Sequence, residues 1–157
     1  MELRPFFLAI LEKPRNTFFR FVELENLSVN PYAKARIAVV DDRSDAAYMI
    51  AVFLRGEGYE NVSTHCEPRK FLQEIVKGPV PHLLLTDYDM PEMNGLELAE
   101  AIQTLYPAVR IILISGDPQH VMQQSGCHYP VFGKEIAILK TLLTAVESEL
   151  AAINAGT

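Results

Sequence analysis

Four short apolar runs, Ile37-Ala38-Val39-Val40, Leu83-Leu84-Leu85, Ile111-Ile112-Leu113-Ile114 and Tyr129-Pro130-Val131-Phe132, each give way within a residue or two to a polar side chain. Those side chains are Asp41 and Asp42, Asp87, Ser115 and Lys134. Runs this short, bounded by turn residues and separated by stretches of helical periodicity, read as parallel strands buried on both faces. The carboxyl ends of such strands line one crevice. The pattern therefore predicts that three carboxylates, a hydroxyl and an ammonium meet at a single sheet edge, a combination suited to a divalent cation and a phosphoryl group.

From Arg36 onward the chain reads as five repeats of strand then helix. Strands are predicted at Arg36 to Val40, Asn61 to His65, His82 to Thr86, Val109 to Ile114 and Tyr129 to Phe132. Ser44 is placed to cap a first helix with Ala47, Ile50, Ala51 and Leu54 on one face, stopped by Gly56 and Gly58. Helices follow over Glu67 to Val76, ended by Gly78-Pro79, and over Leu96 to Leu105, closed by Pro107. A weak helix is expected around Gln119 to Gln124, and a last one from Ile136 to Ile153. Residues 1–35 do not share this rhythm and form a separate extension to the domain over 36–154. Five of the eight phenylalanines (Phe6, Phe7, Phe18, Phe19, Phe21) fall there, so the extension is expected to pack on the domain, a second copy in a homodimer, or a partner. Periodicity leaves helix and strand open for it: Phe18, Phe21 and Val22 suit a helix face, Phe19, Phe21 and Glu23 a strand.

A carboxylate that accepts a phosphoryl group brings negative charges together, so it needs a metal ion and a cation beside it. Asp87 is the candidate nucleophile, and Asp41 and Asp42 with Asp87 offer hard oxygen ligands to Mg²⁺ or Mn²⁺. Lys134 can present a compact positive charge to phosphoryl oxygens, and the Ser115 hydroxyl can donate to another. Singly, each has a structural explanation: Asp41 or Asp42 as a helix cap, Asp89 as the start of a turn, Lys134 as a solvated strand end. The four histidines lack ligand spacing and read as structural or surface residues, while Met90-Pro91 and Asn94-Gly95 read as loop-shaping.

In this order and at these strand ends, Asp41-Asp42, the block Asp87-Tyr88-Asp89-Met90-Pro91-Glu92-Met93-Asn94-Gly95, Ser115-Gly116 and Lys134 resemble the receiver domain of two-component response regulators over about three quarters of the chain. The resemblance implies a flavodoxin-like doubly wound α/β fold, a five-stranded parallel sheet of order 2-1-3-4-5 with helices on both faces. It also implies that the backbone carbonyl of Asp89 is a further metal ligand, and that a histidine kinase or histidine phosphotransfer protein is the phosphoryl donor. The family's lysine is usually followed by a cis proline, whereas Glu135 follows Lys134 here. The family's aromatic switch position is Val131, and the short segment from Ser115 to Lys134 predicts a stub for the fourth helix.

The expected function is a stand-alone receiver that signals by binding a downstream protein when phosphorylated, with a phosphorelay shuttle or sink and a constitutively binding pseudo-receiver as alternatives. Weak autophosphorylation and autodephosphorylation would accompany the first. A net charge of −6 and the lack of a basic stretch argue against nucleic acid. The run from Phe6 to Leu11 is far short of the roughly 20 apolar residues that span a bilayer. With Cys66 and Cys127 read as reduced thiols, a cytoplasmic protein is expected.

Overall fold

Strand residues of alternating parity enter two different cores, which is why the runs are apolar throughout rather than every second residue. The computed structural model describes residues 30–135 and 139–155. Its elements are β1 Arg36–Val40, α1 Ser44–Gly56, β2 Asn61–His65, α2 Pro68–Lys77, β3 Leu83–Asp87, α3 Gly95–Leu105, β4 Arg110–Ser115, α4 Pro118–Met122, β5 Val131–Gly133 and α5 Leu139–Ala155. All strand pairs are parallel, in the order β2-β1-β3-β4-β5. Ile37, Val39, Leu83, Leu85, Ile112 and Ile114 pack with Ala47, Ile50, Ala51 and Leu54 of α1 and Leu142, Val146 and Leu150 of α5. Ala38, Val40, Leu84, Ile111 and Leu113 pack on the other face with Phe71 and Ile75 of α2, Leu98 and Ile102 of α3, and Val121 of α4. Each fully buried Leu or Ile contributes about 1.5–3 kcal/mol. Leu84 and Leu85 serve opposite layers, so truncating either opens a separate cavity.

Element boundaries shift by a residue or a few from the sequence expectation, and the reasons are local. Ser44 is the first residue of α1 rather than its cap; Arg43 flanks the helix without a capping side chain. The cap chemistry is displaced upstream, where Asp41 Oδ1 accepts the Arg43 N–H at 2.9 Å. His82 lies just before β3 because its backbone N–H donates to the Arg36 carbonyl at 2.8 Å and its ring Nδ1 accepts the Arg36 N–H at 2.9 Å. β3 in turn runs one residue further and includes Asp87. Val76 and Leu105, at helical spacing with their cores, are nevertheless 62% and 55% exposed. The fourth helix is the expected stub, five residues capped by Asp117 Oδ1, which accepts the His120 N–H.

Before β1, Ala33 O accepts the Glu60 N–H at 2.8 Å and Lys34 O accepts from Asn61 Nδ2 at 3.1 Å, so residues 30–35 are tied to the start of β2. The aromatic extension over 1–29 and the start of the last helix at 136–138 lie outside the described residues. Among the described residues no helix is long and apolar enough to cross a membrane.

Candidate phosphoryl-acceptor site

β1, β3, β4 and β5 lie side by side, so their carboxyl ends bring the predicted residues to one edge. Asp41 continues β1 by donating its N–H to the His65 carbonyl, and its side chain is 2% exposed. Asp42, the next residue, is exposed. Asp87 ends β3 and is 2% exposed; Ser115 ends β4 and is buried. Lys134 follows β5 and reaches back over the edge, with Nζ 2.8 Å from Asp87 Oδ1 and 3.6 Å from Asp41 Oδ2. It does so through a trans Lys134–Glu135 peptide, so the ammonium reaches Asp87 without the family's usual proline.

Oxygens of Asp41, Asp42 and Asp87 lie within 4.8 Å of one another. At that separation two unit charges repel by about 3 kcal/mol at an effective dielectric near 20. One ammonium against three carboxylates leaves a deficit of two positive charges, which is what a divalent cation supplies. Asp87 Oδ1 is itself buried, with Lys134 Nζ 2.8 Å away. Burial, and then the charges of Asp87 and Asp42, push the Asp41 carboxyl above the usual carboxylate range against the opposing Arg43 amide and Lys134. Burial pulls Lys134 down, but contact with Asp87 and Asp41 outweighs it and the net direction is up, so the ammonium stays charged.

Asp89 is exposed, and its side chain stands outside the three-carboxylate cluster. Ser115 Oγ accepts the Asp117 N–H at 3.0 Å, which leaves its hydroxyl proton available to a further acceptor. The loop after Asp87 is held from both ends. Tyr88 donates its N–H to the Ile114 carbonyl at 2.8 Å and accepts from Gly95 N at 2.9 Å. Asn94 Oδ1 accepts the Glu97 N–H while Glu97 Oε2 accepts the Asn94 N–H, a reciprocal cap that starts α3. The Asn-x-x-Glu spacing carried that signal in the sequence, where Asn94-Gly95 reads only as a loop former. Gly95 has a second duty that sequence reasoning missed: a Cβ there would lie 2.1 Å from the Asp87 carbonyl oxygen. Thr86, buried, donates its hydroxyl to that same carbonyl at 3.1 Å.

The family model of the response regulator receiver domain matches residues 37–133, more than half of the chain. This chain belongs to that family. It is a receiver domain of the two-component type, and the match spans every strand from β1 to β5. Over 83 residues the chain is 35% identical to protein-glutamate methylesterase/protein-glutamine glutaminase 1 of Rhizobium johnstonii, covering 53% of this chain and 24% of that protein. The chain thus spans about a quarter of the methylesterase's length. Over 87 residues it is 29% identical to the chemotaxis protein CheY of Thermotoga maritima, covering 55% of this chain and 72% of CheY. The receiver fold is shared with the response regulator TrrA of Thermotoga maritima, solved in complex with Mg²⁺ and BeF, at a TM-score of 0.65 and 24% identity over 73% of this chain and 98% of that one.

Proposed function

We propose that this receiver takes a phosphoryl group from a histidine kinase, or a histidine phosphotransfer protein, onto Asp87 and signals by binding another protein in the phosphorylated state. The observation that carries this reading is the buried Asp87 carboxylate with an ammonium at 2.8 Å and two further carboxylates beside it. Mg²⁺, or Mn²⁺, would be held by Asp41, Asp42, Asp87 and the Asp89 carbonyl, where it would neutralise charge on the phosphoryl oxygens.

In the transfer an Asp87 carboxylate oxygen forms the new O–P bond as the N–P bond of a phosphohistidine breaks. The bonding electron pair leaves with the imidazole nitrogen. Lys134 stands where it can offer its charge to the incoming phosphoryl oxygens, and its raised pKa keeps that charge present at neutral pH. Ser115 keeps its acceptor engaged by Asp117 N and offers its proton to a phosphoryl oxygen, which would draw the start of the β4–α4 loop toward Asp87. That movement is the readout a partner would sense. The reach of Lys134 to Asp87 weighs against a constitutive pseudo-receiver, the reading that Glu135 favoured.

Intact-mass spectrometry after incubation with acetyl phosphate and Mg²⁺ tests the reading, beside Asp87→Ala and a sample in EDTA. The expected result is a gain of one phosphoryl group that requires both Asp87 and the metal. An equal gain in Asp87→Ala, or none in the wild type, overturns it.

A further inference from the structure

Arg43 breaks two rules of helix chemistry at once. It flanks the start of α1, where Ser, Thr, Asp or Asn would close the first turn, and its side chain makes no cap. A guanidinium there also meets the positive end of the helix macrodipole. Ser44, a better cap, falls inside the helix instead. Local rules broken in this way concentrate at functional sites.

What distinguishes Arg43 is where it stands. Its backbone N–H donates to Asp41 Oδ1 at 2.9 Å, so the root of the side chain is fixed on the rim of the Asp41, Asp42 and Asp87 cluster. The guanidinium pairs with Asp45 Oδ2 at 2.9 Å, and the two side chains are 68% and 72% exposed. Exposed pairs of this kind are weak, so the guanidinium can leave Asp45 for a better partner. Contact with Asp45 raises its pKa most, and the charges of Asp41 and Asp42 add to this, so the cation already feels the cluster.

Charge identifies the better partner. Three carboxylates, one ammonium and a divalent cation sum to zero. When the Asp87 carboxylate becomes an acyl phosphate, one negative charge turns into about two, and the site is left short of one positive charge. Lys134 is already held between Asp87 and Asp41. Arg69, which reaches the loop after Asp87, is engaged with the carbonyl and the carboxylate of Glu92. Arg43 is rooted at the cluster itself, and the planar fork of an arginine matches two phosphoryl oxygens.

We propose that Arg43 is a second cation for the phosphoryl group, parked on Asp45 in the resting protein and moving to the phosphoryl oxygens as the Asp87 O–P bond forms. With acetyl phosphate as donor, the electron pair of the broken O–P bond leaves with acetate. Arg43 then sets how well a small anionic donor is used, and Asp45 restrains it. The inference rests on the receiver reading of Asp87.

Initial rates of phosphoryl uptake from acetyl phosphate in saturating Mg²⁺ test it, read by intact mass for the wild type, Arg43→Ala, Arg43→Lys, Asp45→Asn and the double variant Arg43→Ala with Asp45→Asn. Arg43→Ala is expected to be about tenfold slower, the loss of one charge-assisted contact, with Arg43→Lys between it and the wild type. Asp45→Asn is expected to be several-fold faster, a gain that disappears in the double variant. Calorimetric titration with Mg²⁺ reads the same cluster without phosphoryl transfer. Arg43→Ala should bind the ion at least as tightly as the wild type, because removing one cation beside the acids favours another. A wild-type rate in Arg43→Ala overturns the proposal, and so does an Asp45→Asn gain that persists without Arg43. Weaker Mg²⁺ binding by Arg43→Ala overturns it too, since Arg43 would then act by shaping Asp41 rather than by meeting the phosphoryl group. No uptake by the wild type overturns the receiver reading and this inference together; uptake indifferent to Arg43 overturns this inference alone.

Discussion

Replacing Gly95 with alanine should destabilise the receiver, against the ordinary rule for helices. Gly95 is the first residue of α3, where alanine gains up to about 1 kcal/mol of helix propensity over glycine. The new Cβ, however, would stand 2.1 Å from the Asp87 carbonyl oxygen and 2.9 Å from both the Asp87 carbonyl carbon and Tyr88 Cα. All three atoms are backbone, and the Tyr88 N–H is bonded to Ile114 O, so the sheet edge does not yield. The start of α3 must retract instead, which breaks the Gly95 N–H to Tyr88 O bond and disturbs the Asn94–Glu97 cap. Overpacking of this kind costs about 1–3 kcal/mol, and the lost hydrogen bond and weakened cap about 1 kcal/mol each. After the propensity gain the net loss is about 2–4 kcal/mol, a fall in melting temperature of roughly 10 °C. Urea and thermal unfolding measure it, with Gly56→Ala as the control. A Cβ at Gly56 meets nothing within 4 Å, so that variant should be neutral or slightly more stable. A Gly95→Ala protein as stable as the wild type would refute the steric reasoning.

Lys134→Ala removes the cation closest to Asp87 and should abolish most phosphoryl acceptance; a variant that accepts phosphate at the wild-type rate contradicts the role given to Lys134. Because Asp41 holds its proton more tightly when folded than its unfolded value of 3.8, its contribution to metal-free stability is present below that pH and is lost as pH rises through the raised value. Melting temperature in EDTA should therefore carry a component that falls with rising pH, absent in Asp41→Asn, while Mg²⁺ at 100 times its Kd should add about 2.7 kcal/mol at neutral pH. His82 has the opposite sign: burial and then the Arg36 charge lower its pKa from 6.5, and its Nδ1 is used as an acceptor, so it stabilises above pH 6.5 and that share is lost as pH falls through the lowered value. The stability difference between wild type and His82→Gln should shrink over that range; a constant difference would show that the ring does not titrate with folding.

The sheet order and the site's place on it were readable because the apolar runs are short, continuous and each followed by a polar residue. Asp41, Asp87, Ser115 and Lys134 converge because β1, β3, β4 and β5 are neighbours, a property of strand order that the resemblance implied and the runs by themselves did not fix. The finer features depend on contacts distant in sequence. That Asp41 is buried and Asp42 exposed follows from the Asp41 N–H joining His65 across the sheet. His82 reads as structural without a reason until its ring is seen against the Arg36 amide, 46 residues away. The steric duty of Gly95 is invisible in sequence because it is set by how close α3 approaches β3, while its neighbour Asn94 could have been recognised as a cap from Glu97. Helical spacing alone also cannot separate core positions such as Ile75 and Ile102 from exposed ones: Val76 and Leu105 fit the same stripes and face solvent.

The central claim, that Asp87 is the residue phosphorylated, is tested most directly by locating the phosphoryl group: the protein is treated with acetyl phosphate and Mg²⁺, reduced with borohydride to convert an acyl phosphate to the alcohol, digested and sequenced by mass spectrometry. Modification confined to Asp87, with Asp41, Asp42 and Asp89 untouched, is the predicted result. Modification of any of those three in place of Asp87 would contradict the assignment.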